Sequence, residues 1–160
     1  MSAPALFRAV VPVADIEPAV AFYERVLGLT GEWVGAGRAY LRGDGAILVC
    51  WDAAREGDGA HPGPNRGHLY FAVADLDACF AQARDAGAAW LEDAPARRAW
   101  GERSFYARDP SGNPICFVEA SSVYLGTTPE HERATAEKRS ARMPGIADRE
   151  SAAKPPRRPS

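Results

Sequence analysis

Two stretches of this chain follow the same grammar. VVPVADIEPAVAFYERVLGL (10–29) and YFAVADLDACFAQARDAGA (70–88) each run from an apolar strand through Val-Ala-Asp into an amphipathic stretch closed by glycine. Asp15 and Asp75 are natural N-caps, because a short carboxylate side chain meets backbone N–H groups that the first helical turn leaves unpaired. Pro18 falls in the first turn, where its missing donor costs little. Val20, Phe22 with Tyr23, and Val26 with Leu27 form an apolar stripe at helical spacing, and Leu76, Phe80, Ala83 and Ala86 form a weaker one. Gly28 and Gly87 follow these stripes as C-terminal caps.

Three short strand-like runs follow each helix. LTGEWV, GRAYLR and GAILVCW succeed the first, with Gly35-Ala36-Gly37 and Gly43-Asp44-Gly45 as hairpin turns. AAWLED, RSFYAR and NPICFVE succeed the second. A duplicated β-α-β-β-β order constrains the chain more than any single residue does, and it fixes the fold class as α+β. Module one is expected at about 5–53 and module two at about 67–122, with the Gly- and Pro-rich segment 54–66 as linker. Together they make one domain over 1–126. The rest, 127–160, has little to bury. It is expected to be a basic tail, partly helical from Thr128-Pro129 and disordered from about 144.

Charge follows the same boundary. Residues 1–126 carry eleven Arg against sixteen Asp and Glu, a balance of −5, and 127–160 carry eight Lys and Arg against five, a balance of +3. An acidic body argues against nucleic acid and favours cationic or neutral small molecules, or serves only to keep the chain in solution. No run approaches the length of a membrane helix, and the N-terminus lacks the layout of a signal peptide. Cys50, Cys79 and Cys116 lack metal-type spacing and read as buried apolar thiols, which points to a reducing cytoplasm. No phosphate-cradling loop and no Gly-x-Ser-x-Gly elbow occur.

The turn Asp109-Pro110-Ser111-Gly112-Asn113 introduces the last strand, which ends on Glu119. The doubled modules, the AFYERVLGL helix and the RDPSGNPICFVE hairpin together resemble the vicinal oxygen chelate superfamily of glyoxalases, bleomycin-resistance proteins and extradiol dioxygenases. That resemblance covers residues 5 to about 122. It implies two βαβββ modules whose curled mixed sheets enclose a cleft, commonly in a homodimer. It also implies where a metal would sit, on the first and last strands of the modules. Arg8, Trp51, His68 and Glu119 occupy those places.

Of these four, only His68 and Glu119 can ligate. Arginine is a permanent cation and an indole offers only a donor, whereas zinc and non-heme iron sites usually need at least three protein ligands. His61 in the linker is a conceivable third ligand. Asp52 lies one residue past Trp51 and so points to the other face. No cofactor is therefore expected, and a divalent metal enters only if the protein is an enzyme. Glu119 is expected to face the cleft, either on a ligand or paired with Arg8. His68 is either a ligand contact or a hydrogen-bonded core histidine.

What remains of the expected cleft is aromatic. Trp33, Tyr40, Trp51, Tyr70, Trp100, Phe105 and Phe117 join Arg8, His68 and Glu119 as candidate binding residues, with plain core packing as the competing role for the rings. AWGERSFYARDPSGNPICFVE and the opening AVVPV (9–13) are most similar to bleomycin-resistance proteins. Those are dimers that sequester a bulky cationic drug without chemistry, joined by an N-terminal segment that Pro4 could anchor here. The expected function is therefore sequestration of a small aromatic compound, cationic or neutral, of the antibiotic-resistance type. The alternative is a metal-dependent lyase, isomerase or dioxygenase using His68 and Glu119. Expected partners are the small molecule and a second copy of the chain, with neither nucleic acid nor membrane.

Overall fold

In this computed structural model, residues 2–126 together with Glu137 and Lys138 are described. Most of the expected tail, 127–160, therefore lies outside the described residues. Met1–Tyr124 form one compact unit. No helix among the described residues is long and apolar enough to cross a membrane.

The first half runs β1 (Arg8–Pro12), α1 (Ile16–Leu27), β2 (Gly31–Gly35), β3 (Arg38–Arg42) and β4 (Ile47–Trp51). Asp15 caps α1 through Glu17 N–H, and Gly28 ends the helix at φ 66°. The sheet order is β1-β4-β3-β2, with β1 parallel to β4 and the other pairs antiparallel. A short helix, α2 (Ala53–Glu56), then occupies the start of the expected linker. Its cap is Asp52, which accepts from Arg55 N–H at 3.1 Å. That places Asp52 in a backbone role, buried beside the chain.

The second half runs β5 (Leu69–Val73), α3 (Leu76–Asp85), β6 (Trp90–Leu91), β7 (Ala96–Arg97), β8 (Arg103–Arg108) and β9 (Pro114–Glu119). Its sheet order is β5-β9-β8-β6, with β7 also on β8, and β5 is parallel to β9. The first of the three runs, AAWLED, keeps only two residues as β6, the chain bends at Asp93 and Ala94, and a separate two-residue β7 follows. The doubled, mixed α+β architecture is present, and the sheets are not closed.

Each helix covers one face of its own sheet, and α1 also packs on α3. Val11, Leu41, Cys50, Tyr23, Phe105 and Phe117 therefore share one core with Leu76 and Cys79. The opposite face of each sheet carries no helix.

The DPSGN turn holds the halves together. Asp109 is fully buried, and its carboxyl oxygens accept from Tyr23 Oη at 2.8 Å, Asn113 Nδ2 at 2.8 Å, Asn113 N–H at 2.8 Å and Ser111 N–H at 2.9 Å. Asn113 Nδ2 also donates to Pro12 O, its Oδ1 accepts from Asn65 N–H, and Ser111 Oγ accepts from Ala14 N–H. Only Gly112 takes the left-handed conformation, at φ 87°. Asn113 contributes its amide to both modules. Burial of so many polar groups is tolerated because each finds a partner.

Candidate functional site

Alternation along β5, β8 and β9 determines which side chains reach the open face of the second sheet. Tyr70, Cys116 and Tyr106 stand side by side in the ladder, as do Pro114, Arg108 and Trp90 on the next row. His68, just before β5, meets Tyr106 edge-on at 5.1 Å between ring centroids and Tyr70 at 6.2 Å. His68, Tyr70, Trp90, Tyr106, Arg108 and Pro114, with Glu92 and Ala107, line an open hollow of about 440 Å³. Tyr70 is 61% exposed and Trp90 49%, so about half or more of each side chain is open to solvent.

The carboxylate at this hollow, Glu92, is already committed. Arg98 grips Glu92 with two nitrogens, at 2.5 and 3.2 Å, and Tyr106 N–H donates to the same carboxylate at 2.8 Å. Burial pushes Glu92 up, but hydrogen bonds from Arg98 and Tyr106 win and leave it below its ordinary value. The Arg98 guanidinium lies 4.8 Å from the Tyr106 ring centroid, in reach of a cation–π attraction. Burial first, then Cys116 and Tyr70, pushes the Tyr106 phenol up to about 12. Burial likewise pushes the Cys116 thiol up to about 11. Both stay protonated near neutrality and are poor nucleophiles there. No hydrogen bond to His68 orients its ring among the described residues, so it lacks the second group that a general base normally has.

The first sheet's open face carries Arg8, Val10, Tyr40, Val49 and Trp51 in one register. Arg8 lies between the rings of Phe7 and Tyr40, 5.1 and 4.9 Å from their centroids. Trp51 Nε1 donates to Asp58 at 2.9 Å.

The remaining expected site residues lie elsewhere. Glu119 shares its row with Val73 and Arg103, on the helix-bearing face, and pairs with Arg103 at 3.2 Å. It therefore faces away from His68, and Arg8 is not its partner. The reason is register: Tyr70 stands opposite Cys116, and Glu119 is three residues further along, an odd step that reverses the side. Phe105 and Phe117 stack on each other at 4.9 Å beneath α3, where Phe80 meets Phe105 edge-on, so both are core. Trp33 stands opposite Ala39, on the side of α1. Trp100 is half exposed and bonds Glu102 through Nε1 at 2.7 Å, outside the hollow. His68 is exposed, which removes the core-histidine reading.

Trp90, Glu92, Tyr106, Arg108 and Pro114 were not expected in the site. RSFYAR carried the signal: Phe105 and Ala107 are the apolar alternation, which puts Tyr106 and Arg108 on the other face.

The sequence matches the family described as the Glyoxalase/Bleomycin resistance protein/Dioxygenase superfamily over residues 5–117. The chain belongs to this superfamily. An integron cassette protein, VCH_CASS1, from the mobile metagenome of V. cholerae is 30% identical. Its structure aligns over 74% of this chain and 97% of its own, with a TM-score of 0.58. A glyoxalase/bleomycin resistance protein from Albidiferax ferrireducens T118 is 25% identical over 71% of this chain and 98% of its own, with a TM-score of 0.61. A glyoxalase-related enzyme from Fulvimarina pelagi shares the fold at 16% identity, covering 76% of this chain and 92% of its own with a TM-score of 0.62. Among curated proteins no sequence matches this chain.

Some superfamily sites hold a divalent metal, and the residues here do not fit one. No group of three or more His, Cys, Asp or Glu gathers among the described residues. His68 and Glu119 sit on opposite faces. The carboxylate that does share the face of His68, Glu92, is closed off by Arg98 and the Tyr106 amide.

Proposed function

We propose that this superfamily member binds a planar aromatic small molecule on the open face of its second sheet and holds it without transforming it. The supporting observation is a shelf of four rings, from His68, Tyr70, Trp90 and Tyr106, around a hollow whose one carboxylate, Glu92, is held by Arg98 and whose Tyr106 phenol is pushed up to about 12. Aromatic lining with a few fixed polar groups suits ligand binding, whereas a general base is normally oriented by a second group, and no hydrogen bond to His68 supplies one among the described residues. The A. ferrireducens neighbour carries bleomycin resistance in its description, in keeping with sequestration of an antibiotic-like aromatic.

A second copy of the chain would close the shelf. Both sheets end on an unpaired edge, β1 in one and β5 in the other, and the arm leading into β1 exposes Leu6 (78%) and Phe7 (61%). Edges and apolar arms of this kind are usually covered. Light scattering should then give about twice the 17.2 kDa chain mass. The buried thiols suit a reducing compartment, and we place the protein in the cytoplasm.

Titration calorimetry with bleomycin-type glycopeptides and with naphthalene and acridine compounds tests the binding reading. Saturable binding in the micromolar range is expected, with Tyr70→Ala or Trp90→Ala weakening it about tenfold by loss of stacking area. Recovery of the ligand unchanged after prolonged incubation is also expected. Absence of binding by every aromatic tried would defeat the proposal, and a chemically altered ligand would move it to an enzyme.

A further inference from the structure

The unmatched charge at the hollow is opposite in sign to that of the folded body. The charged residues lining the hollow are Glu92 and Arg108, and Arg98 is bonded to Glu92. Glu92 and Arg98 neutralise one another, which leaves Arg108. Its Nη1 donates to Gly112 O at 3.3 Å, and no carboxylate lies within ion-pair distance of it among the described residues. It stands directly opposite Trp90 in the β6–β8 ladder, at the end of the aromatic shelf.

The first sheet also carries a guanidinium beside rings. Glu32 pairs with Arg42 at 3.0 Å, and Arg38 lies 3.5 Å from Asp58 and 4.0 Å from Glu56. Arg8 is left, between two rings and without an acid among the described residues. Arg38 meets two carboxylates, so the first face as a whole is balanced, and only the second sheet leaves a guanidinium, Arg108, over beside aromatic rings. The surplus carboxylates sit elsewhere: Asp15, Asp52 and Asp75 at helix caps, Asp109 in the inter-module turn, and Glu119 and Asp77 on Arg103.

From this we infer that the guest is a planar aromatic anion, its ring on Trp90, Tyr70 and Tyr106 and its carboxylate or other acidic group on Arg108. A guanidinium suits such a group because its planar fork can donate two parallel hydrogen bonds. Net charge alone suggested a cationic or neutral guest, but a bound molecule responds to the groups within roughly a Debye length, about 8 Å at physiological salt. The inference rests on the shelf being a ligand site and goes further by fixing the charge of its ligand.

The experiment compares two probes of one ring system and opposite charge, 2-naphthoate and 2-naphthylmethylammonium, by titration calorimetry on the full chain. 2-Naphthoate is expected to bind about tenfold tighter or more, in line with a charge-assisted hydrogen bond. That preference should fade as salt is raised and should vanish in Arg108→Gln, which keeps the ring shelf. Arg84→Gln, on the exposed surface of α3, should leave it intact. Equal or tighter binding of the ammonium probe would overturn the anionic assignment while leaving the aromatic site standing. A preference that survives Arg108→Gln would overturn the role of Arg108. If neither probe binds, the shelf itself is not a site, and the proposed function falls with it.

Discussion

Tyr23 donates to Asp109 from a position with no solvent exposure, and burial first, then Asp109, holds its phenol well above the ordinary value. Tyr23→Phe should therefore cost about 1–2 kcal/mol in denaturant unfolding, the net value of a good buried hydrogen bond. Asp109→Ala strands four donors and should cost about 3 kcal/mol or more. Equal losses for the two variants would mean that Asp109 does little beyond accepting from Tyr23. Glu92 gives a pH signature. Its carboxyl is held below the ordinary 4.5, so its stabilising contribution is complete above that pH and is lost as acid takes the protein through the lower folded value. Between pH 4.5 and 3, Glu92→Gln should lose melting temperature less steeply than the parent protein; identical slopes would show that Arg98 does not stabilise the ionised form.

At the scale of elements, the β2–β3 hairpin is held against α2 by Gly37. Gly37 N–H donates to Glu56 at 2.7 Å, and Asp52 N–H donates to Gly37 O at 2.8 Å. An added Cβ would sit 2.3 Å from Asp52 O and 2.6 Å from Glu56 N, both backbone atoms. Gly37→Ala should cost about 1–3 kcal/mol by forced displacement, whereas Gly67→Ala, with open space around it, should be nearly neutral in the same thermal melt. The elements themselves were legible. Asp15, Asp75 and the stripes behind them mark both helices, because capping and helical period are local properties. The site was less so. Alternation within one strand can be read from its letters, but which residue of β9 stands beside Tyr70 depends on the ladder between distant segments. That is why Glu119 was expected beside His68, and Cys116 instead lies next to Tyr70 on that face. The short β6, the bend after it at Asp93 and Ala94 and the capture of Glu92 by Arg98 likewise depend on contacts that no local pattern encodes.

As a whole molecule, the chain has one core, since α1 lies on α3 and the DPSGN turn joins the two halves. The halves should therefore unfold together. The thiols report this directly: all three are buried, and burial, named first among the causes for each, pushes Cys50 and Cys79 up to about 12 and Cys116 up to about 11. None should react appreciably with an aromatic disulfide in native buffer. Across a urea gradient, Cys50 in the first half and Cys79 and Cys116 in the second should become reactive at one midpoint. Two separated midpoints would show that the modules are independent. The inter-module turn has a wider consequence. The segment by which such a chain is most easily recognised acts as a rivet, with its polar atoms engaged on Tyr23, Pro12, Ala14 and Asn65, away from the hollow. Relatives can keep that rivet unchanged while replacing whatever lines the uncovered sheets, so sharing it tells an observer how the halves are fastened and leaves open what they carry.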